Sequence, residues 1–185
     1  MALTYSEMVP LGKTAPAFSL EGIDGKRYTL EHFKGTRALV VMFICKHCPY
    51  VIAVQDRLAA LAKELSPRGA RFIAINSNDT SRYPEDSAEN MRMQADQVGF
   101  HFPYLIDTTQ GVARAYGAVA TPDIFVFDGH LRLSYRGRID DSWKDASKVT
   151  SHDLHDAIVA LLEGRTVAAN QIPSMGCSIK WRVEE

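Results

Sequence analysis

The sequence predicts an α/β protein in which a central mixed sheet is flanked by helices. Three observations carry this. First, an apolar run from Ala38 to Ile44 passes through Cys45-Lys46-His47-Cys48-Pro49 into apolar residues at helical spacing, Val51, Val54, Leu58, Leu61 and Leu65. That is a buried strand opening directly into a helix. Second, strand-like and helix-like stretches alternate from Arg71 to Tyr116, a pattern that lays helices on both faces of a sheet. Third, two apolar runs joined by Asp128-Gly129 predict an antiparallel hairpin, which makes the sheet mixed.

Taken in order, Met1 to Pro16 shows little periodicity. Ala17–Leu20 and Arg27–Leu30, separated by Gly22-Ile23-Asp24-Gly25, predict an N-terminal hairpin, and Thr29–Phe33 a single helical turn closed by Gly35. The strand–helix unit from Ala38 ends near Ser66-Pro67-Arg68-Gly69, and Arg71–Asn76 reads as a second buried strand. Ser77–Ser87 is polar and too long for a tight turn, which suggests a functional loop. Ala88–Val98 predicts a helix stopped by Gly99, Tyr104–Ile106 a short strand, and Thr109–Tyr116 a helix stopped by Gly117. Asp123–Phe127 and Leu131–Tyr135 form the hairpin; Asp140–Val149 is a polar loop carrying Trp143, either a packing anchor or an interface contact. Thr150–Leu162 is an amphipathic helix with Thr150 as its expected N-cap. The whole, residues 1–185, reads as a single domain with an N-terminal extension over 1–36 and a C-terminal tail over 166–185 that packs back on it.

The chain has 185 residues and a formal net charge of −1, so it offers no basic surface for nucleic acid or an anionic membrane. Its longest apolar run is far short of a membrane span. The first residues, MALTYSEMVPLGK, lack the charged-then-apolar pattern of a secretory leader, and the expectation is a cytoplasmic protein. Three cysteines do not make a disulfide framework.

A C-x-x-C at a strand–helix junction points to dithiol chemistry. Helix N-termini carry partial positive charge and unpaired N–H groups that favour a thiolate, and Pro49 suits the first turn, where its missing N–H costs nothing. A pair of inert core cysteines is the plainer alternative. A metal site from Cys45, His47 and Cys48, with or without Cys177, is another, but no second C-x-x-C or paired His supports it, and neither a metal nor a bound cofactor is expected. Cys177 reads as a buried structural cysteine, because free Cys is among the most buried residue types and nothing in the sequence places the tail near the motif; a third redox thiol reached by the tail is the alternative. His152 and His155 read as surface residues, and Asn76, Asn78 and Asp79 follow a strand end, where turn chemistry and ligand binding fit equally well.

This element order, with C-x-x-C after the first central strand and Thr121-Pro122 before the hairpin, resembles the thioredoxin fold. Pro16-Ala17-Phe18-Ser19-Leu20, Asp24-Gly25 and Leu30-Glu31-His32-Phe33-Lys34-Gly35 resemble the peroxiredoxin branch, the alkyl hydroperoxide reductase and thiol-specific antioxidant group. CKHCPYV, NSND, YPEDS, FPYLID and PSMGCSIKW are similar to a peroxiredoxin-like set that keeps the thioredoxin-type C-x-x-C. The resemblance implies a cis peptide at Pro122 facing the cysteines, Cys45 as attacking thiol, Cys48 as resolving thiol, and a substrate groove shaped by Thr121 and Pro122. Lys46 and His47 are expected to lower the pKa of Cys45 and make the couple more oxidising than thioredoxin's. Cys45 occupies the place of the peroxiredoxin Thr and Cys48 that of the peroxidatic Cys, while the peroxide-polarising Arg gives way to Thr121-Pro122; the thioredoxin buried acid falls at about Leu39. The implied activity is therefore thiol–disulfide exchange on protein or small-molecule disulfides, recycled by an external thiol reductant. A thiol peroxidase, or a redox-regulated or metal-binding module, is the alternative.

Overall fold

The structure, a computed structural model, describes residues 3–183. In chain order its strands are β1 (Leu3–Tyr5), β2 (Ser19–Gly22), β3 (Arg27–Thr29), β4 (Ala38–Phe43), β5 (Ala70–Asn76), β6 (Tyr104–Ile106), β7 (Ala120–Thr121), β8 (Asp123–Asp128), β9 (Leu133–Arg136) and β10 (Met175–Ser178). The α-helices are α1 (Pro49–Leu65), α2 (Ala88–Val98), α3 (Gly111–Tyr116) and α4 (Asp153–Leu162).

Seven strands form the main sheet in the order β3-β2-β6-β5-β4-β8-β9. β4 pairs in parallel with β5 and antiparallel with β8, so the sheet is mixed. Every residue of β4 is buried, as its unbroken apolar run requires of a strand covered on both faces. Successive side chains point to opposite faces. Ala38, Val40 and Met42 therefore join α1, α4 and Met91 of α2 in one core, while Leu39, Val41 and Phe43 join Ala113 and Tyr116 of α3, Leu30, Phe33 and Phe18 in the other. The N-terminal hairpin adds to this sheet through the β2–β6 pairing.

The α4 boundary differs from expectation. The helix begins at Asp153 with His152 as N-cap, because the Thr150 N–H and hydroxyl are both engaged by Asp141 instead. Trp143 packs on Tyr50 with ring centroids 4.3 Å apart, and Arg57 Nη2 donates to its carbonyl at 2.8 Å, which makes it a packing anchor.

Three short strands that carry no readable periodicity build a second sheet, ordered β1-β10-β7. The tail strand β10 sits in its middle, with Cys177 opposite Leu3 on one side and Thr121 on the other. The approach to β7 is close: a Cβ on Gly176 would lie 2.0 Å from the Thr121 carbonyl oxygen, so only glycine fits.

Candidate active site

β4 delivers Ile44 and Cys45 to the end of the sheet, and α1 starts four residues later. Cys48 is the N-cap of α1, with extended backbone, and Pro49 fills the first turn. The Thr121–Pro122 peptide is cis and faces this turn. Thr121 is the hub: its hydroxyl lies 3.5 Å from Cys45 Sγ, and its carbonyl accepts from the Cys48 thiol at 3.0 Å. Cys45 and Cys48 are 1% and 0% exposed, so the pair is closed off from solvent.

The polar loop after β5 supplies a residue the sequence did not single out. Asp86 is fully buried against the Cys-x-x-Cys turn. Its Oδ1 accepts from the backbone N–H groups of Lys46 (2.9 Å) and His47 (3.1 Å). Its Oδ2 lies 2.6 Å from His47 Nδ1 and accepts from Asn78 Nδ2 at 2.7 Å. Asn76 holds the Asp86 carbonyl at 2.9 Å. The only sequence signal was a long polar segment leaving a strand end; which of its acids turns inward is a tertiary fact.

These contacts set the protonation states. Burial pushes the Asp86 carboxyl up, but hydrogen bonds from His47 and Asn78, with the His47 charge, outweigh it and hold Asp86 below its usual value. The hydrogen bond to Asp86 raises His47, against burial. The thiols behave as one coupled pair. Cys48 is lowered, first because the Cys45 thiol donates to it and then with help from Thr121, Cys177 and the Val51 N–H. Cys45 is raised, chiefly by its bond to Cys48, then by burial and the nearby Asp86 charge. This corrects the expectation that Cys45 is the lowered thiol. Lys46 Nζ turns to Asn90 Oδ1 at 3.2 Å and His47 pairs with Asp86, so neither side chain hydrogen-bonds to the Cys45 sulfur. His47 also stacks on Tyr83, with centroids 5.7 Å apart and planes 7° from parallel.

Cys45, His47 and Asp86 place ligand atoms within 4.8 Å of one another. The Asp86 oxygens are already engaged by four donors, so a metal would have to break the His47–Asp86 bond. His155 lies at the surface beside Glu64, at 3.3 Å. The tail also differs from expectation: β10 sets Cys177 opposite Thr121, whose carbonyl accepts from Cys48, and burial together with Cys48 raises the Cys177 thiol.

A profile of the AhpC/TSA family matches residues 11–136. The chain belongs to the AhpC/TSA family. Among relatives of this family member, the thiol-disulfide oxidoreductase ResA of Bacillus thuringiensis subsp. konkukian (strain 97-27) is 28% identical over 127 residues, 68% of either chain. The crystal structure of an uncharacterized conserved protein from Geobacillus kaustophilus is 50% identical with a TM-score of 0.95, covering 100% of this chain and 99% of that one. A DsbE thiol:disulfide interchange protein structure from Chlorobium tepidum, at 18% identity and TM-score 0.67 over 84% of this chain and 99% of its own, shares the fold. The AhpC/TSA domain here is thus a thioredoxin fold that carries a C-x-x-C.

Proposed function

We infer that this protein is a thiol–disulfide oxidoreductase whose working couple is the Cys45–Cys48 dithiol and disulfide. The observation that carries the reading is the pair of thiols meeting at Thr121, at the N-terminus of α1 and beside the cis Thr121–Pro122 peptide. Exchange needs a thiolate, and the pair favours it on Cys48, with the proton kept on Cys45, once Cys48 gives up the hydrogen it donates to the Thr121 carbonyl.

Cys45 is the thiol that meets substrate. Both sulfurs are buried, and Cys45 takes this role by its place as the first cysteine of the C-x-x-C, next to His47, whose side chain is 15% exposed. As the Cys45 sulfur attacks the substrate disulfide, its proton passes to Cys48, and one substrate sulfur leaves as a thiolate. That thiolate takes the proton from Cys48. The Cys48 thiolate then attacks the Cys45 sulfur, releasing the second substrate thiolate and leaving the Cys45–Cys48 disulfide. An external thiol reductant returns the pair to the dithiol. Thr121 and Pro122 wall the groove, and His47 with Asp86 fixes the turn. Substrates are protein or small-molecule disulfides, the class implied by the name of the ResA relative. Three cysteines without a disulfide framework fit work in the cytoplasm.

The test is turnover of insulin disulfides beside peroxide consumption. Wild type should reduce insulin and consume peroxide slowly. Cys45→Ser should abolish turnover, and Cys48→Ser should accumulate the mixed disulfide. Full turnover by Cys45→Ser would overturn the assignment of the attacking thiol; rapid thiol-dependent peroxide consumption would favour a peroxidase.

A further inference from the structure

Thr121 gathers three sulfurs. Cys45 meets its hydroxyl, Cys48 its carbonyl, and Cys177 is its cross-strand partner in the β10–β7 ladder. All three residues are buried. β10 is held here on purpose-built geometry. Gly176 alone permits the close approach to Thr121, and Ser174 Oγ donates to the Pro122 carbonyl at 2.8 Å. Beyond the strand, the Lys180 N–H donates to Asn78 Oδ1 at 2.8 Å and the Lys180 carbonyl accepts from Asp79 N–H at 2.9 Å. The tail is therefore tied to the same loop that supplies Asp86.

We propose that Cys177 is a third redox thiol of the site, one that takes over Cys48 from the Cys45–Cys48 disulfide and stores the disulfide between helix α1 and the tail strand. The step rests on the dithiol reading given above. The Cys177 sulfur attacks the Cys48 sulfur of the Cys45–Cys48 disulfide; the Cys48–Cys177 bond forms, the Cys45–Cys48 bond breaks, and the Cys177 proton ends on Cys45. No electrons are gained or lost, and no further reactant is needed. Cys177 is suited to wait its turn. In the reduced protein, burial and the charge on Cys48 hold it as a thiol, raised to about 12. Oxidation of Cys48 removes that charge, and Lys180, which opposes the rise, remains. The exchange returns Cys45 as a thiol while β10 becomes covalently pinned over the groove.

The same geometry bears on substrate. Thr121 presents its backbone edge to β10, so an extended chain cannot pair there until the tail lifts. In the reduced state the tail is held only by non-covalent contacts; in the Cys48–Cys177 state it is fixed.

The experiment oxidises full-length wild type, Cys45→Ser and Cys45→Ser/Gly176→Ala with limiting diamide, quenches with acid, alkylates, and maps disulfides by mass spectrometry. Wild type should yield both Cys45–Cys48 and Cys48–Cys177 linkages in constant ratio over time. Cys45→Ser should form Cys48–Cys177 as its main product. Adding Gly176→Ala, which keeps both thiols but pushes β10 off Thr121, should slow that product at least tenfold. If wild type forms Cys45–Cys48 while Cys177 stays fully alkylatable in every protein, the third-thiol role is overturned and the dithiol reading stands. If wild type forms no Cys45–Cys48 linkage at all, the dithiol reading falls and takes this inference with it.

Discussion

Replacing Asp86 by Asn tests the part of the site that no local pattern announced. The carboxylate accepts two backbone N–H groups, a ring nitrogen and an amide. An amide at the same place offers one oxygen, and its NH2 must face either the Asn78 amide or the two backbone donors, so at least one buried donor loses its acceptor. Hydrogen bonds to charged groups contribute roughly 1.5–3 kcal/mol each, and breaking a buried ion pair costs about 3–5 kcal/mol. His47 can shed its proton and soften the loss, so we expect Asp86→Asn to cost about 2–4 kcal/mol by urea denaturation. Electrostatics give a second readout with a fixed sign. Asp86 raises both His47 and Cys45. Removing its charge should bring the His47 titration down, followed by NMR, and should increase the rate of Cys45 alkylation at pH 7, read peptide by peptide. A variant that unfolds at the wild-type urea midpoint, with the His47 titration and the Cys45 alkylation rate both unmoved, would refute the assignment of Asp86 as the anchor of the turn.

Two further outcomes concern the buried ion pairs. The His47–Asp86 pair should give stability a pH window: His47, raised above 6.5, contributes fully below that value and loses its contribution as pH climbs through its folded pKa. Asp86, lowered below 3.8, contributes above that value and loses it as pH falls through its folded pKa, so the difference in stability between wild type and His47→Asn should be largest between 3.8 and 6.5, measured by urea midpoints across pH. On the far side of the sheet, Arg136→Ala should cost about 3–5 kcal/mol in the same assay, because it strands Asp123, fully buried and 3.0 Å from Arg136 Nη2; a loss under about 1 kcal/mol would show that Asp123 is not charged there.

The centre of the fold was legible because its signals are local. Six successive buried residues of β4, the Cys-x-x-Cys turn, Pro49 and the helical spacing of α1 all lie within one continuous stretch, and Gly99 and Gly117 end their helices with φ of 77° and 69°. The second sheet was not legible for the opposite reason. β1 is three residues long and pairs with a strand about as far away in the chain as two elements can be. Strands that short carry too few alternations to declare a period, and their partners exist only after folding. The same holds for electrostatics at the thiols. Position in the sequence put Lys46 and His47 next to Cys45, but the chain turns them to Asn90 and Asp86. What tunes the sulfurs is each other, with Thr121 and Cys177, and those neighbours are assembled from segments that sequence distance separates.

The placement of β10 has a consequence for the order of synthesis. Chains grow from the N-terminus, so β4, α1, β7 and all seven strands of the main sheet are made before Met175–Ser178. A nascent chain can therefore pair β4 with β5 and β8 and stand its Cys-x-x-Cys turn against cis-Pro122 while Thr121 still lacks its cross-strand partner. During that interval the two motif thiols meet whatever small thiols and disulfides surround the ribosome, with the β10 edge of Thr121 still open.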